Sequence, residues 1–367
     1  MDASMEAVQA NTVAIQRSRL VSVVIIDHNY ERYLRTCIDS VLAQTHEAIE
    51  IVVVDDGSTD GSSEVLAGYG DRIRVVHQAN VGHVLAYNVG FEASQGEIVL
   101  FLDADDLLYP DCVAAIVAIW RPDLAKVQFR LDTIDADGKD LNMPFPSYPP
   151  SLSPSEVRKR AHQSGYYPWP VSSGNAYARD YLRRVMPVPF PRIWKSPDGY
   201  ANKLAPLFGD VESLPRRLGA YRVHGKNGWA QSAATLQSSS YGRMVRFDRD
   251  LHEEFVAVAS RHNVQVGTYE TRFVPQWIEV RLLSLRLCPE QHPIADDHLG
   301  PVVWLGLRAA AFSPALAARG RILWLTWFVV LALAPARSLP FLLRSNRTQG
   351  QRGLFARVVI RLSRQSA

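Results

Sequence analysis

Four short apolar runs, each closed by turn chemistry and most followed by a helical pattern, constrain this chain more than any other feature. Val21–Ile26, Ile51–Val54, Ile73–His77 and Ile98–Leu102 read as strands rich in β-branched residues. Leu34, Ile38, Val41 and Leu42 recur at helical spacing and predict a helix over Glu31–Gln44; Val84–Ala93 repeats the pattern. Another helix opens at Pro110-Asp111 and runs to Trp120. This alternation predicts an α/β fold, a mostly parallel sheet with helices on both faces. Such sheets take their ligands beyond the carboxyl ends of the strands. Three of the four strands end in acidic loops: Asp27; Asp55 and Asp56; Asp103, Asp105 and Asp106.

Carboxylates gathered at one sheet edge suit Mg²⁺ or Mn²⁺, hard cations that share carboxylate and phosphate oxygens. An ion on Asp105 could bridge a diphosphate and neutralise charge on a departing nucleotide. Asp56 could accept from a base N–H or a ribose hydroxyl. Asp is also a common turn and cap residue, so a capping role stays open for Asp56 and Asp103. It stays open too for Asp198, where Ser196-Pro197-Asp198 precedes a helical pattern running to Phe208.

Beyond Leu131 the pattern loosens. Pro144, Pro146, Pro149, Pro150 and Pro154 mark an irregular stretch, followed by Tyr166, Tyr167, Trp169 and Trp194. Aromatic rings here could stack on sugars or pack in a core. Ser173, Gly174 and Asn175 could line an acceptor site or form a turn. Leu218–Val223 reads as a strand, closing on His224-Gly225-Lys226-Asn227, and residues 241–288 read as helical. The three cysteines, Cys37, Cys112 and Cys288, form no CxxC or Cys/His cluster. Neither a disulfide framework nor a structural zinc is expected, and a reducing, cytosolic setting is. Met1–Arg19 carries Asp2 and Glu6 without an apolar run, so no secretory signal is expected there.

Charge is unevenly placed. Asp297 is the last acid, so all 37 acids share residues 1–297 with 30 bases, a net of −7. The 70 residues after it hold ten arginines and no acid, a net of +10. Ile322–Ala336 is uncharged between Arg321 and Arg337, with Trp324 and Trp327 inside it. Its fifteen residues fall short of the ~20 that cross a bilayer. Val358, Val359, Ile360 and Leu362 then mix with Arg357, Arg361 and Arg364. A segment over 299–367 that lies on an anionic membrane surface is expected, at the cytoplasmic face. Packing on the catalytic body or between copies is the plainer alternative.

Several of these residues carry a family resemblance. Val21–Asn29, Ser40–Thr45, Asp55-Asp56-Gly57-Ser58-Thr59-Asp60, Asn80-Val81-Gly82, Asn88, Gly96-Glu97 and Leu102-Asp103-Ala104-Asp105-Asp106 resemble, in order and spacing, the family 2 glycosyltransferases of GT-A fold. The resemblance covers residues 20–230 and implies inverting transfer of a sugar from a nucleoside-diphosphate donor, with UDP the default. It implies a donor half over 20–106 and an acceptor half over 107–230; the helical extension over 231–298 and the basic segment over 299–367 lie outside it. By the same likeness Asp55 and Asp56, with Asp27 at the neighbouring strand end, hold base and ribose. Asp103 contacts ribose or metal, and Asp105 is the main ligand of Mg²⁺ or Mn²⁺. Asp198 is the catalytic base, and His224 approaches the metal or diphosphate. Trp169, Ser173, Gly174 and Asn175 fall in the acceptor half.

The chain departs from the family in three places: His28 where the first strand often ends Pro-x-Tyr-Asn, Tyr87 where an Arg usually stands, and Pro197 before Asp198. His83 or Lys226 could stand in for that Arg. The expected acceptor is a saccharide or lipid-linked saccharide of a cell-envelope polymer. Two other classes compete with this one. A nucleotidyltransferase normally brings a Gly-rich, basic phosphate loop after its first strand, and Asp27-His28-Asn29-Tyr30 supplies none. A non-catalytic sugar-nucleotide-binding module draws only on the three departures. Nucleic acid is not an expected partner, because the basic tail lacks interleaved aromatics beyond Phe355.

Overall fold

The computed structural model describes residues 19–146, 152–225, 227, 239–268, 274–313, 316 and 318–346. Lys226, the N-terminal extension up to residue 18 and the basic piece around Val358–Leu362 lie outside the described residues. The chain divides into two compact units, one of residues 1–161 and 167–223, the other of 162–166 and 224–367.

In chain order the elements of the first part are β1 (Val21–Asp27), α1 (Glu31–Leu42), β2 (Ile49–Asp55), α2 (Ser62–Ala67), β3 (Arg74–His77), α3 (His83–Ala93), β4 (Ile98–Asp103), β5 (Leu107–Leu108), α4 (Cys112–Ala118), β6 (Leu124–Ile134), α5 (Pro154–Ser164), β7 (Asn175–Ala178), α6 (Arg179–Val185), α7 (Pro197–Leu204) and β8 (Asp210–Arg222). They build one eight-stranded sheet in the order β3-β2-β1-β4-β7-β6-β8-β5. β1 pairs in parallel with β2 and β4, and β2 with β3. β7 enters antiparallel between β4 and β6, so the sheet is mixed at its centre.

All seven residues of β1 are buried, which explains why its sequence shows a continuous apolar run rather than alternation. Val23, Ile25 and Leu100 share a core cluster with Leu34, Ile38 and Val41 of α1. On α3, a Cβ at Gly90 would lie 2.4 Å from Val24 Cγ1, so only glycine lets this helix seat so close to the strands.

The four predicted strands and their helices are present, with ends shifted by at most two residues. β6 and β7 were not foreseen. β6 is eleven residues long, but Lys126 and Gln128, both fully buried, break its apolar pattern. The strand expected at 218–223 is the end of the longer β8. Its earlier part is disguised by Pro215-Arg216, which sits where the β6–β8 register slips, between Phe129↔Leu214 and Arg130↔Arg217. A bulge tolerates proline because no ladder donor is needed there.

The second unit contains α8 (Ser239–Arg261), α9 (Pro275–Leu287), α10 (Leu299–Phe312), α11 (Ala318–Leu333) and α12 (Leu339–Asn346). The helical stretch expected at 241–288 is thus two helices. Leu282, Leu283, Val302, Ala309, Phe328 and Leu331 form its core. Gly306 lets α10 lie against the Phe328 ring, which a Cβ would meet at 2.5 Å. Arg281 pairs with buried Asp297, whose other partner is His292 Nε2 at 2.9 Å. Among the described residues no helix is long and apolar enough to cross a membrane.

Candidate active site

The parallel register decides where the acids go. Asp27 sits opposite Asp55, and its neighbour Ile26 sits opposite Asp103. The three expected strand-end carboxylates therefore stand side by side at the carboxyl edge of β2, β1 and β4. The loop after β4 adds Asp105 and Asp106 to the same edge.

The turns after β1 and β2 are tied together. Asn29, at φ 62°, accepts from the Thr59 N–H through its Oδ1 at 2.7 Å. Ser58 donates its hydroxyl to Asp27 Oδ2 (3.0 Å) and its N–H to Asp55 Oδ1 (2.9 Å). Burial opposes ionisation of Asp55, yet hydrogen bonds from Ser58 and His77 outweigh it and hold the carboxyl below its ordinary value. Asp27 goes the other way. Burial pushes it up to about 6, only partly offset by Ser58 and Ser62. Its raised value stabilises the fold below the ordinary carboxylate range, and that contribution is lost as pH rises through about 6. Asp56 accepts from Gln78 Nε2 (2.7 Å) and from the N–H groups of Val81 (3.0 Å) and Gly82 (2.9 Å). It thereby fixes the segment leading into α3. A carboxylate offers about four acceptor sites, so three internal bonds still leave capacity for a ligand.

The loop after β4 is anchored through Asp106, which is 1% exposed. Its Oδ1 accepts the Arg222 N–H at 2.8 Å and its Oδ2 the Ser173 hydroxyl at 2.5 Å; Ser173 Oγ in turn accepts the Asp103 N–H at 3.2 Å. The Arg222 side chain donates from Nε to the Asp105 carbonyl (2.8 Å) and from Nη1 to the Asp135 carbonyl (3.2 Å), with its guanidinium 4.7 Å from the centre of the Tyr33 ring. Removing that guanidinium strands the buried carbonyl of the residue expected to meet the cation. Arg222→Met should lower the unfolding free energy by about 1–3 kcal/mol in urea titrations and weaken donor binding.

Asp103 is desolvated and close enough to Asp105 and Asp198 for both to act on it, so its carboxyl is pushed well above the ordinary range. Asp106 is raised by burial and by Asp105 and Asp103. Asp198 also acts on His83. Asp103, Asp105, Asp106 and Asp198 thus lie within electrostatic reach of one another, and Asp56 reaches the same His83 that Asp105 and Asp198 act on. His83 Nε2 lies 3.8 Å from Asp103 Oδ1, with its side chain 46% exposed. Desolvation in the cleft holds the imidazole below its ordinary range, against the opposing pull of Asp198, Asp56 and Asp105.

The structure separates the two readings of Asp198. The N-cap of α7 is Ser196, whose Oγ accepts the Gly199 N–H at 3.2 Å and donates to Asp198 Oδ1 at 2.7 Å. Capping is done by the serine, and Asp198 stands in the first turn, held by it. Beneath lies a residue that sequence reading missed. Lys126, fully buried on β6, donates to Asn202 Oδ1 of α7 at 2.6 Å and lies 5.2 Å from the centre of the Tyr167 ring. Burial holds its ammonium well below the ordinary range, opposed by Asp198. Tyr177 and Tyr167 hydroxyls complete the grip on Asn202 at 2.9 and 2.7 Å.

Tyr87, where the family usually has Arg, is buried and stacked on Phe101 at 3.5 Å, so it offers no cation to the cleft. Of the two residues considered as substitutes, His83 is the one that the described structure brings to Asp103. The acceptor expectations for Ser173, Gly174 and Asn175 need correction. Ser173 is wholly buried with its hydroxyl committed to the acidic loop. Asn175 is equally buried and donates to the Val171 carbonyl at 2.7 Å, and a Cβ on Gly174 would meet Pro170 at 2.6 Å. They build the cleft wall rather than line it. Trp169 is half-buried, edge-on to Tyr167 at 5.0 Å. His224 belongs to the second unit, where its N–H donates to the Asn227 side chain.

Hard oxygen donors and mutual carboxylate repulsion fit a divalent cation, which would relieve that repulsion. Among the described residues no three His, Cys, Asp or Glu side chains are gathered tightly enough to hold one alone. An ion here would share Asp105 with oxygens of its substrate.

The family model described as glycosyl transferase family 2 matches residues 22–170. An uncharacterized glycosyltransferase of Nostoc sp., alr2836, is 39% identical over 221 residues, 58% of this chain and 68% of that protein. The chain belongs to glycosyl transferase family 2. Glycosyltransferase GlyG of Streptococcus pneumoniae is 38% identical over 103 residues, which is 27% of this glycosyltransferase and 34% of GlyG. EpsH of Bacillus subtilis and YibD of Escherichia coli are likewise matched over only 27% of their own length. Among solved structures, S. aureus TarS in complex with UDP-GlcNAc is similar at TM-score 0.50 and 18% identity, covering 90% of this chain and 92% of that one. That likeness is one of fold: α/β, mostly parallel, of GT-A type.

Proposed function

We propose that this family 2 enzyme is an inverting hexosyltransferase that moves a sugar from a nucleoside-diphosphate donor to a hydroxyl of a saccharide or lipid-linked saccharide, in cell-envelope polysaccharide or glycolipid synthesis. The observation that carries the proposal is that Asp55, Asp27 and Asp103 end three neighbouring parallel strands at one sheet edge, with Asp105 and Asp198 close enough to act on Asp103. UDP is the favoured nucleotide, as in the UDP-GlcNAc complex of the fold neighbour TarS. Asp55 and Asp56 take the base and ribose and Asp103 the ribose, while Asp27, expected among them, is wholly buried and instead holds Ser58 of the neighbouring turn.

Asp198 accepts the proton of the acceptor hydroxyl as that oxygen attacks the anomeric carbon from the face opposite the diphosphate. The new C–O bond forms as the bond to the diphosphate breaks, which inverts the centre and leaves the proton on Asp198. Ser196 holds the carboxylate through one oxygen, so the other is presented to the acceptor. Mg²⁺ or Mn²⁺ on Asp105, with Asp103 beside it, would neutralise the charge that builds on the leaving nucleoside diphosphate. His83, 3.8 Å from Asp103, stands at the same acids as a donor to the diphosphate.

A thermal-shift screen of UDP-, GDP- and dTDP-sugars with and without Mn²⁺ tests this reading. Binding to the folded state raises the melting temperature by mass action, by several degrees at about 100 times the dissociation constant. One nucleotide series should do so, and only with the metal. No shift from any of the three series would remove the donor assignment, and a shift indifferent to Mn²⁺ would remove the cation.

A further inference from the structure

Two helices of the second unit, α10 and α11, carry large apolar residues on their outer faces. On α11 the exposed positions Ile322, Thr326, Val329 and Leu333 recur at steps of four, three and four, which is one face of the helix. Ile322 is 56% exposed and Leu333 79%. Thr326 returns its hydroxyl to the Ile322 carbonyl at 2.9 Å, so even the polar member of the strip has its hydrogen bond within the helix. On α10 the exposed face runs Pro301, Trp304, Arg308, Phe312, with Trp304 61% and Phe312 68% exposed. Phe341, on α12, is 72% exposed. The opposite faces are spent on the unit's own core, through Val302, Ala309, Phe328 and Leu331.

Single exposed apolar residues are ordinary, but a helix with an apolar stripe on its outer as well as its inner face is not. Along the chain the charges that accompany these stripes are basic. Arg308, Arg319, Arg321 and Arg337 flank them, and no acid follows Asp297. α11 is only 16 residues long, and no described helix can cross a bilayer. Apolar stripes accompanied along the chain by arginines, on helices too short to span, match the boundary of an anionic bilayer: acyl chains take the apolar side chains and lipid phosphates take guanidinium groups. A second copy of this chain would bring the same arginines against each other.

We propose that the outer faces of α10 and α11 dock in the plane of an anionic membrane, with Trp304, Phe312, Ile322, Val329 and Leu333 entering the acyl boundary. The inference goes beyond the transfer reaction and does not depend on it.

Co-sedimentation of the full chain with vesicles of phosphatidylcholine, with and without about one third phosphatidylglycerol, tests it. Anionic vesicles should bind at least about tenfold more protein, and less as salt rises. Val329→Glu/Leu333→Glu and Trp304→Glu/Phe312→Glu should each cut that binding about tenfold while leaving the melting temperature and donor-induced shift near wild type. Leu333→Ser, a milder change at the most exposed position, should weaken binding in the same direction and covers the case of a double variant that misfolds. Absence of binding to anionic vesicles would overturn the proposal, as would wild-type binding by the folded variants. So would a wild-type dimer in sedimentation velocity that these substitutions dissociate without any loss of vesicle binding, since a second copy would then be the occupant.

Discussion

Asp105→Asn should abolish sugar transfer, lowering kcat/KM at least about a thousandfold, while the protein remains folded and becomes no less stable. The two effects have one cause. Asp105 is the largest charge source acting on both Asp103 and Asp106, whose carboxyls are pushed up by burial and then by this neighbour. Neutralising it relieves repulsion inside the resting protein and lets both carboxyls fall back toward the ordinary range. The same substitution removes the carboxylate that offsets the cation and the diphosphate. Opposite signs for stability and activity are the mark of a residue kept for chemistry rather than folding. Donor hydrolysis and transfer assays, run beside thermal melts across a Mn²⁺ titration, read both. Full transfer by the variant without metal would remove the role assigned to Asp105.

Asp198→Asn should lower kcat by about 10²–10⁴-fold with donor KM little changed. Asparagine keeps the shape and can still accept the Ser196 hydroxyl bond, now 2.7 Å from Oδ1, but it cannot take a proton. The helix start should survive, because its cap is Ser196 and not the replaced residue. Ser196→Ala gives the contrasting result: a loss of about 1 kcal/mol in stability and a smaller fall in kcat, since the base remains but loses its tether. Wild-type turnover by Asp198→Asn with an identified acceptor would place the base elsewhere.

The donor half was legible because its signals are local. Val21–Ile26 and Ile98–Leu102 are continuous apolar runs since both faces of the sheet are covered, and the acids follow each strand at once in sequence. The acceptor half was not. β6 carries Lys126 and Gln128 in the buried middle of the sheet, so its periodicity pointed away from a strand. Those side chains are tolerated only because Asn202 and Ser213, more than seventy residues further on, supply their hydrogen bonds at 2.6 and 3.0 Å. Ser173 reads locally as an acceptor contact for the same reason: its partner, Asp106, lies 67 positions away.

The chain's local patterning determined the parallel donor sheet, its acidic edge and the basic, apolar end of the sequence, since apolar periodicity and turn chemistry are written within a dozen residues. Tertiary structure alone decided how the acids divide their work. Asp106 became an internal anchor through Arg222 and Ser173, Ser196 took the cap, and His83 came to stand beside Asp103. Each of these outcomes depends on which donor from a distant segment arrives within hydrogen-bonding distance, and that is fixed by how the sheet closes, not by what neighbours a residue along the chain.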